Sequence, residues 1–206
     1  EARALITGQR QIFAYGWAAI PVLGYLPAGL TLSLFGDNLA GLNASGVIEG
    51  LLIIIGVYLL GRDLFHPRIG LIAAALLTIS YAHLAASRQC VYLDPVVFLV
   101  FGLYFLFVGL REGRGGAIVA SGTLTAFCAL VYFPSRIIVF IAGFMLLYLL
   151  LFRRKWLFAR WWTIMLWVLA VLITLGPMLV VFLRDFDAFM SRTREVFILT
   201  PELIRH

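Results

Sequence analysis

Leu60-Gly61-Arg62-Asp63-Leu64-Phe65-His66-Pro67-Arg68-Ile69-Gly70-Leu71 is the stretch that decides the fold. Its charges and its proline form a turn that belongs in water. An apolar run, roughly 39–60, precedes it, and another, 69–86, follows. Two such runs joined by a short charged turn read as a helical hairpin at membrane depth. The pattern then repeats along the chain. Asp94-Pro95 opens a run over 95–110, and Arg111-Glu112-Gly113-Arg114-Gly115-Gly116 closes it. Further runs cover 117–132, 136–152 and 161–183, divided by Phe133-Pro134-Ser135 and by Arg153-Arg154-Lys155. Gly176-Pro177 predicts a kink in the last of them. The expected fold is all-α: a polytopic membrane bundle of about six transmembrane helices with interfacial amphipathic helices. A full span needs about 20 residues, so the 16-residue runs at 95–110 and 117–132 are short.

Composition agrees. Of 206 residues, 63% are hydrophobic and 13% charged, and the charged share is about half that of a soluble domain. A soluble globule of this size has no interior large enough for so much apolar surface. The net charge of +6 therefore reads as loop anchoring and contact with membrane lipids, not as nucleic-acid binding. Cys128 lies in an apolar run and Cys90 in a loop, which gives neither a disulfide framework nor a metal site.

Charge also orients the bundle. Loops 61–68, 111–116 and 153–160 hold eight of the sixteen Lys and Arg: Arg62, Arg68, Arg111, Arg114, Arg153, Arg154, Lys155 and Arg160. That density places these loops in the cytoplasm. Residues 1–38, 87–94, 133–135 and 184–206 are then extracytoplasmic, so both ends of the chain lie outside. Seven of the ten acids fall on that outer side.

Three regions follow. Residues 1–38 form an outer interfacial segment: 3–14 reads as an amphipathic helix, and 28–35 as a short apolar helix ended by Gly36-Asp37-Asn38. Residues 39–183 are the bundle. Residues 184–206, with Arg184, Asp185, Asp187, Arg192, Arg194 and Glu195 among aromatics, form a second outer amphipathic segment.

The order of motifs resembles a known family. An acid precedes Ala2-Arg3. A proline-rich interfacial segment leads to Leu34-Phe35-Gly36-Asp37-Asn38. The hairpin 60–71 follows, then Ser80-Tyr81-Ala82-His83-Leu84, Ser87-Arg88 and Asp94, and Tyr132-Phe133-Pro134-Ser135-Arg136 closes the fourth run. This resembles the membrane glycosyltransferases of the GT-C fold, in the branch of dolichyl-phosphate-mannose protein mannosyltransferases and the lipid A aminoarabinose transferase. Each motif is weak alone; their order and spacing carry the likeness. The resemblance implies sugar transfer from a polyprenyl-phosphate donor on the extracytoplasmic side. It aligns Glu1 with the second acid of an outer-loop Asp-Glu pair, and so implies a span and an Asp upstream of Glu1. Many relatives carry an Arg where this chain has Leu39-Ala40-Gly41-Leu42-Asn43, a departure that bears on donor handling.

That chemistry needs a carboxylate to orient or deprotonate the acceptor, cations to hold the leaving phosphate, and a groove for the lipid tail. Glu1 is the candidate catalytic base, or an acid at the edge of a segment. Arg88, Arg136 and Arg10 are candidate phosphate ligands, or interfacial arginines whose heads snorkel to water. Asp94 orients Arg88 or caps the helix beginning at Pro95. Ser80, His83 and Ser87 share one helix face ending at Arg88, so His83 lines the donor site or packs between helices. Glu49 sits mid-span and reads as a carboxylate held at a helix or subunit interface. No cofactor is expected. For a divalent metal, no second His or clustered acid has ligand spacing near His83.

Two other readings remain at this stage. A non-catalytic membrane subunit derived from the same fold would pack with other membrane proteins. A secondary transporter would show inverted repeats and midplane polar groups, whereas here the polar groups gather at one face.

Overall fold

The computed structural model describes residues 2–9, 22–89, 94–131, 135 and 137–184, and every regular element among them is helical. A short helix α1 (Ala2–Ile6) and a 3-10 turn (Val22–Tyr25) precede α2 (Leu26–Phe35). The bundle follows as α3 (Leu39–Leu64), α4 (Pro67–Ile79), α5 (Tyr81–Gln89), α6 (Asp94–Glu112), α7 (Gly115–Val131), α8 (Ile137–Phe152), α9 (Arg154–Ala159) and α10 (Trp161–Arg184).

The hairpin of α3 and α4 is built by local chemistry. Asn38 adopts an extended backbone, and its side-chain oxygen accepts the Gly41 N–H at 2.8 Å, starting α3. Pro67 stands in the first turn of α4, where its missing N–H costs nothing. The His66 ring accepts the Arg68 N–H at 3.3 Å. Only Phe65 and His66 separate the two helices, so their backbones must pass closely. A β-carbon on Gly61 would lie 2.8 Å from Gly70 Cα, and one on Gly70 would lie 2.6 Å from Arg62 N and Tyr58 O. The crossing exists because both positions lack a side chain.

The buried stripe of α3 comprises Gly41, Ser45, Gly46, Glu49, Gly50, Ile53 and Gly56. Small residues dominate it, as expected where helices associate by close packing in lipid rather than by hydrophobic exclusion. Gly56 faces Val100 and Phe101, so α3 and α6 lie side by side. α6 and α7 form an antiparallel hairpin: Ile118 packs on Gly109 at one end, and Cys128 donates its thiol to the Pro95 carbonyl at 3.2 Å at the other. α7 is the core helix, with Ile118, Ser121, Ala126, Cys128 and Leu130 all buried. α10 runs parallel to it, bringing Trp167 to Ser121 and Leu175 to the Cys128–Ala129 cluster. The outer faces stay apolar: Leu172, Ile173 and Leu183 on α10, and Phe144 and Leu151 on α8, are exposed. Such a surface suits lipid.

The two ends of the bundle differ. At one end Arg62 forks onto Asp63 at 2.6 and 3.1 Å, and Glu112 holds Arg111 at 2.8 Å and Arg114 at 2.9 Å. The starts of α3 and α6 and the ends of α5, α7 and α10 meet at the other.

The architecture is the expected helical membrane bundle. Among the described residues three helices, α3, α6 and α10, are long and apolar enough to cross a membrane, or four if the bent pair α4–α5 is one span, and α7 and α8, with 17 and 16 residues, are shorter apolar helices. Several details differ from expectation. The expected span 69–86 is two helices bent by 62° at Ser80. α3 runs on through Gly61-Arg62-Asp63, since Asp63 and the Tyr58 ring beneath it satisfy Arg62 inside the last turn. The helix expected over 3–14 ends at Ile6, where Thr7 and the positive-φ Gly8 turn the chain; residues 10–21 lie outside the described ones. α10 continues as one helix with Pro177 inside it, which is compatible with the expected kink.

Candidate functional site

At the end of the bundle opposite the paired arginines lie α1 and the capped start of α3. α1 is fastened there by an ion pair between Arg3 and Asp37, two exposed groups. Asp37 belongs to the Gly36-Asp37-Asn38 turn that caps α3, so the pair ties the first residues of the chain to the mouth of the bundle.

α5 supplies the polar wall. Ser80 leaves the helical region with ψ near 122°, which frees the chain to change direction after α4. Beyond it, Tyr81-Ala82-His83-Leu84-Ala85-Ala86-Ser87-Arg88 is far less apolar than α4. His83 is buried and faces α3; Ser87, one turn on, donates to the His83 carbonyl at 2.7 Å. Gly50 makes this approach possible. A β-carbon there would collide with Ser87 Oγ and lie 3.1 Å from Ser87 Cβ and 3.6 Å from His83 Nε2. Ser45 and Glu49 are buried on the same stripe of α3. The α3–α5 contact is thus a polar seam inside an apolar bundle. Arg88 stands at its end and is exposed.

Of the expected site residues, His83 lies in the seam and Arg88 beyond it. Asp94 is the first residue of α6; its side chain lies outside the described ones. Glu1, Arg10 and Arg136 also lie outside the described residues, as does the tail after Arg184. Among the described residues no three His, Cys, Asp or Glu side chains are grouped to hold a metal ion.

An apolar crevice of about 230 Å³ lies between the interfacial segment and the hairpin of α6 and α7. Leu23, Leu26 and Pro27 line it on one side, and Phe98, Phe127 and Val131 on the other. Its lining residues include Leu26 and Pro27 at the start of α2 and Val131 at the end of α7. Sequence reasoning located neither this crevice nor the Gly50 niche. The Gly46-Val47-Ile48-Glu49-Gly50 spacing, two glycines four apart in a span, was the available signal for the niche. The crevice has no local signal, because its two walls are about 70 residues or more apart.

A protein-family model described as dolichyl-phosphate-mannose-protein mannosyltransferase matches residues 19–180. The match includes His83, Arg88, Asp94 and Arg136 and begins after Glu1 and Arg10. No curated protein and no solved structure is significantly similar to the chain.

Proposed function

The chain belongs to the dolichyl-phosphate-mannose-protein mannosyltransferase family, and on that premise we propose that it transfers a sugar from a polyprenyl-phosphate donor to an acceptor hydroxyl. The reaction takes place at the end of the bundle bearing α1, the cap of α3 and the exposed Arg88, which is the extracytoplasmic end in this reading. Both ends of the chain then lie outside, with 1–38 and 184–206 as outer segments on a bundle of residues 39–183.

What supports the proposal is that a membrane bundle carries both a polar seam leading to the exposed Arg88 and an apolar crevice beside the interfacial segment. A prenyl-phosphate sugar needs that pairing, an apolar channel for its tail beside a cation for its phosphate. Glu1 takes the proton from the acceptor hydroxyl as the oxygen attacks the anomeric carbon. The bond from that carbon to the phosphate oxygen breaks, and polyprenyl phosphate leaves. Arg88, Arg136 and Arg10 receive its growing charge, which is worth most in a site shielded from water. Asp94 orients Arg88. His83, packed against Gly50, fixes α5 so that Arg88 projects from a rigid element.

Replacing Glu1 by Gln in the protein as expressed should reduce transfer by about 10²–10⁴-fold, the usual contribution of a positioned general base, with expression intact. Unchanged turnover sinks the assignment of the base. Stoichiometric co-purification with other membrane proteins, with no transfer at all, would favour a non-catalytic subunit instead.

A further inference from the structure

A second groove lies at the other end of the bundle. Leu147 and Leu150 of α8, Phe158 of α9, and Trp161, Met165 and Val168 of α10 enclose about 570 Å³ of almost wholly apolar space. From Trp161 to Val168 the groove follows seven residues of helix, about 10 Å into the apolar layer. Arg153, which joins α8 to α9, and Arg154 and Lys155 in the first turn of α9 lie in sequence between the lining residues Leu150 and Phe158, and all three are exposed.

Three other arginines at this end are neutralised. Arg62 is held by Asp63, and Arg111 and Arg114 by Glu112. Among the described residues no acid pairs with Arg153, Arg154 or Lys155. Trp161 and Trp162, with ring centroids 4.1 Å apart, stand at the same level, where amphipathic rings favour the membrane interface. The groove therefore combines an apolar slot at acyl-chain depth, an aromatic rim and unneutralised positive charge at headgroup depth.

We propose that this groove binds one anionic phospholipid, with its phosphate on Arg153, Arg154 and Lys155 and an acyl chain between α8 and α10. Charge complementarity selects the lipid: a partner helix would bring the apolar face alone, while an anionic lipid answers both halves of the site. The inference is independent of the transfer reaction.

Native mass spectrometry of the purified protein, titrated with phosphatidylglycerol or with phosphatidylcholine of the same acyl chains, tests it. One phosphatidylglycerol should be retained at least about 5-fold more tightly than phosphatidylcholine, the factor expected for a single cation near an anionic surface. The combined variant Arg153→Gln, Arg154→Gln, Lys155→Gln should lose the preference, and Arg111→Gln with Arg114→Gln should keep it. Raising the salt concentration should weaken the preference in the unaltered protein, which checks the result without any substitution. Equal binding of the two lipids, a preference that survives the triple variant, or a dimer that binds neither lipid would overturn the proposal.

Discussion

Trp167 on α10 donates its indole N–H to Ser121 Oγ on α7 at 3.2 Å, and Ser121 in turn donates to the Gly102 carbonyl of α6 at 2.8 Å. Ser121 is fully buried, so one hydroxyl joins three helices at the centre of the bundle. In lipid, where apolar burial no longer drives helix association, such a link fixes rotation and depth. Trp167→Phe should cost about 0.6 kcal/mol, and Ser121→Ala, which removes both bonds, up to about 1.7 kcal/mol. Unfolding of the purified protein in mixed micelles of increasing denaturing detergent would measure both.

The polar seam has a sharper dependence. Gly50→Ala places a methyl group where Ser87 now stands, and overpacking of this kind costs about 1–3 kcal/mol. Ser87→Ala removes the Oγ that the new methyl would strike and should give partial relief, with Ser87 Cβ still 3.1 Å from the new carbon. Ser87→Gly should recover most of the loss in the double variant. A double-mutant cycle on unfolding free energy reads this coupling directly, and strict additivity of the two changes would contradict the packing described.

The turn between α3 and α4 offers a controlled contrast. Gly70→Ala drives a methyl group into backbone atoms of Arg62 and Tyr58, which cannot rotate away. Gly116→Ala meets nothing within 4 Å and sits in the first turn of α7. The first variant should fall sharply in folded yield after detergent extraction, and the second should match the parent protein.

Orientation can be read with two cysteines in a background lacking Cys90 and Cys128. Cysteine at position 37 should react with a membrane-impermeant maleimide added to intact cells. Cysteine at position 114 should react only after permeabilisation. The opposite pattern would invert the bundle and remove the proposed site from the extracytoplasmic face.

Much of the architecture was legible from charge. The groups in Arg62–Arg68 and Arg111–Arg114 must reach water, so they mark helix ends wherever the helices pack. Pro67 and Asn38 were read as breaks between helices, and in the structure each also starts the helix that follows, through its own backbone neighbours. The bend at Ser80 was not legible, because a single serine in an apolar run is compatible with a continuous helix. After the bend α5 packs into the Gly50 niche, a contact between residues more than 30 positions apart. The site divides in the same way. Arg88 was singled out from its place at the end of a polar stripe. His83 stood between two roles, and burial against α3 is a property of the neighbouring helix that its own sequence does not carry. The crevice at Leu23, Phe98 and Phe127 arises from three separate segments meeting, and no one of them announces it.

The central claim is a lipid-linked sugar donor, and the most direct measurement follows the label. Purified protein in bilayers would be given a polyprenyl-phosphate sugar labelled in the sugar, with extracts of extracytoplasmic acceptors. The account predicts that labelled sugar appears on an acceptor while an equal amount of polyprenyl phosphate is released, and that a nucleotide sugar cannot replace the lipid donor. Transfer directly from the nucleotide sugar, or an intact labelled donor after prolonged incubation with active protein preparations and acceptor, would contradict it.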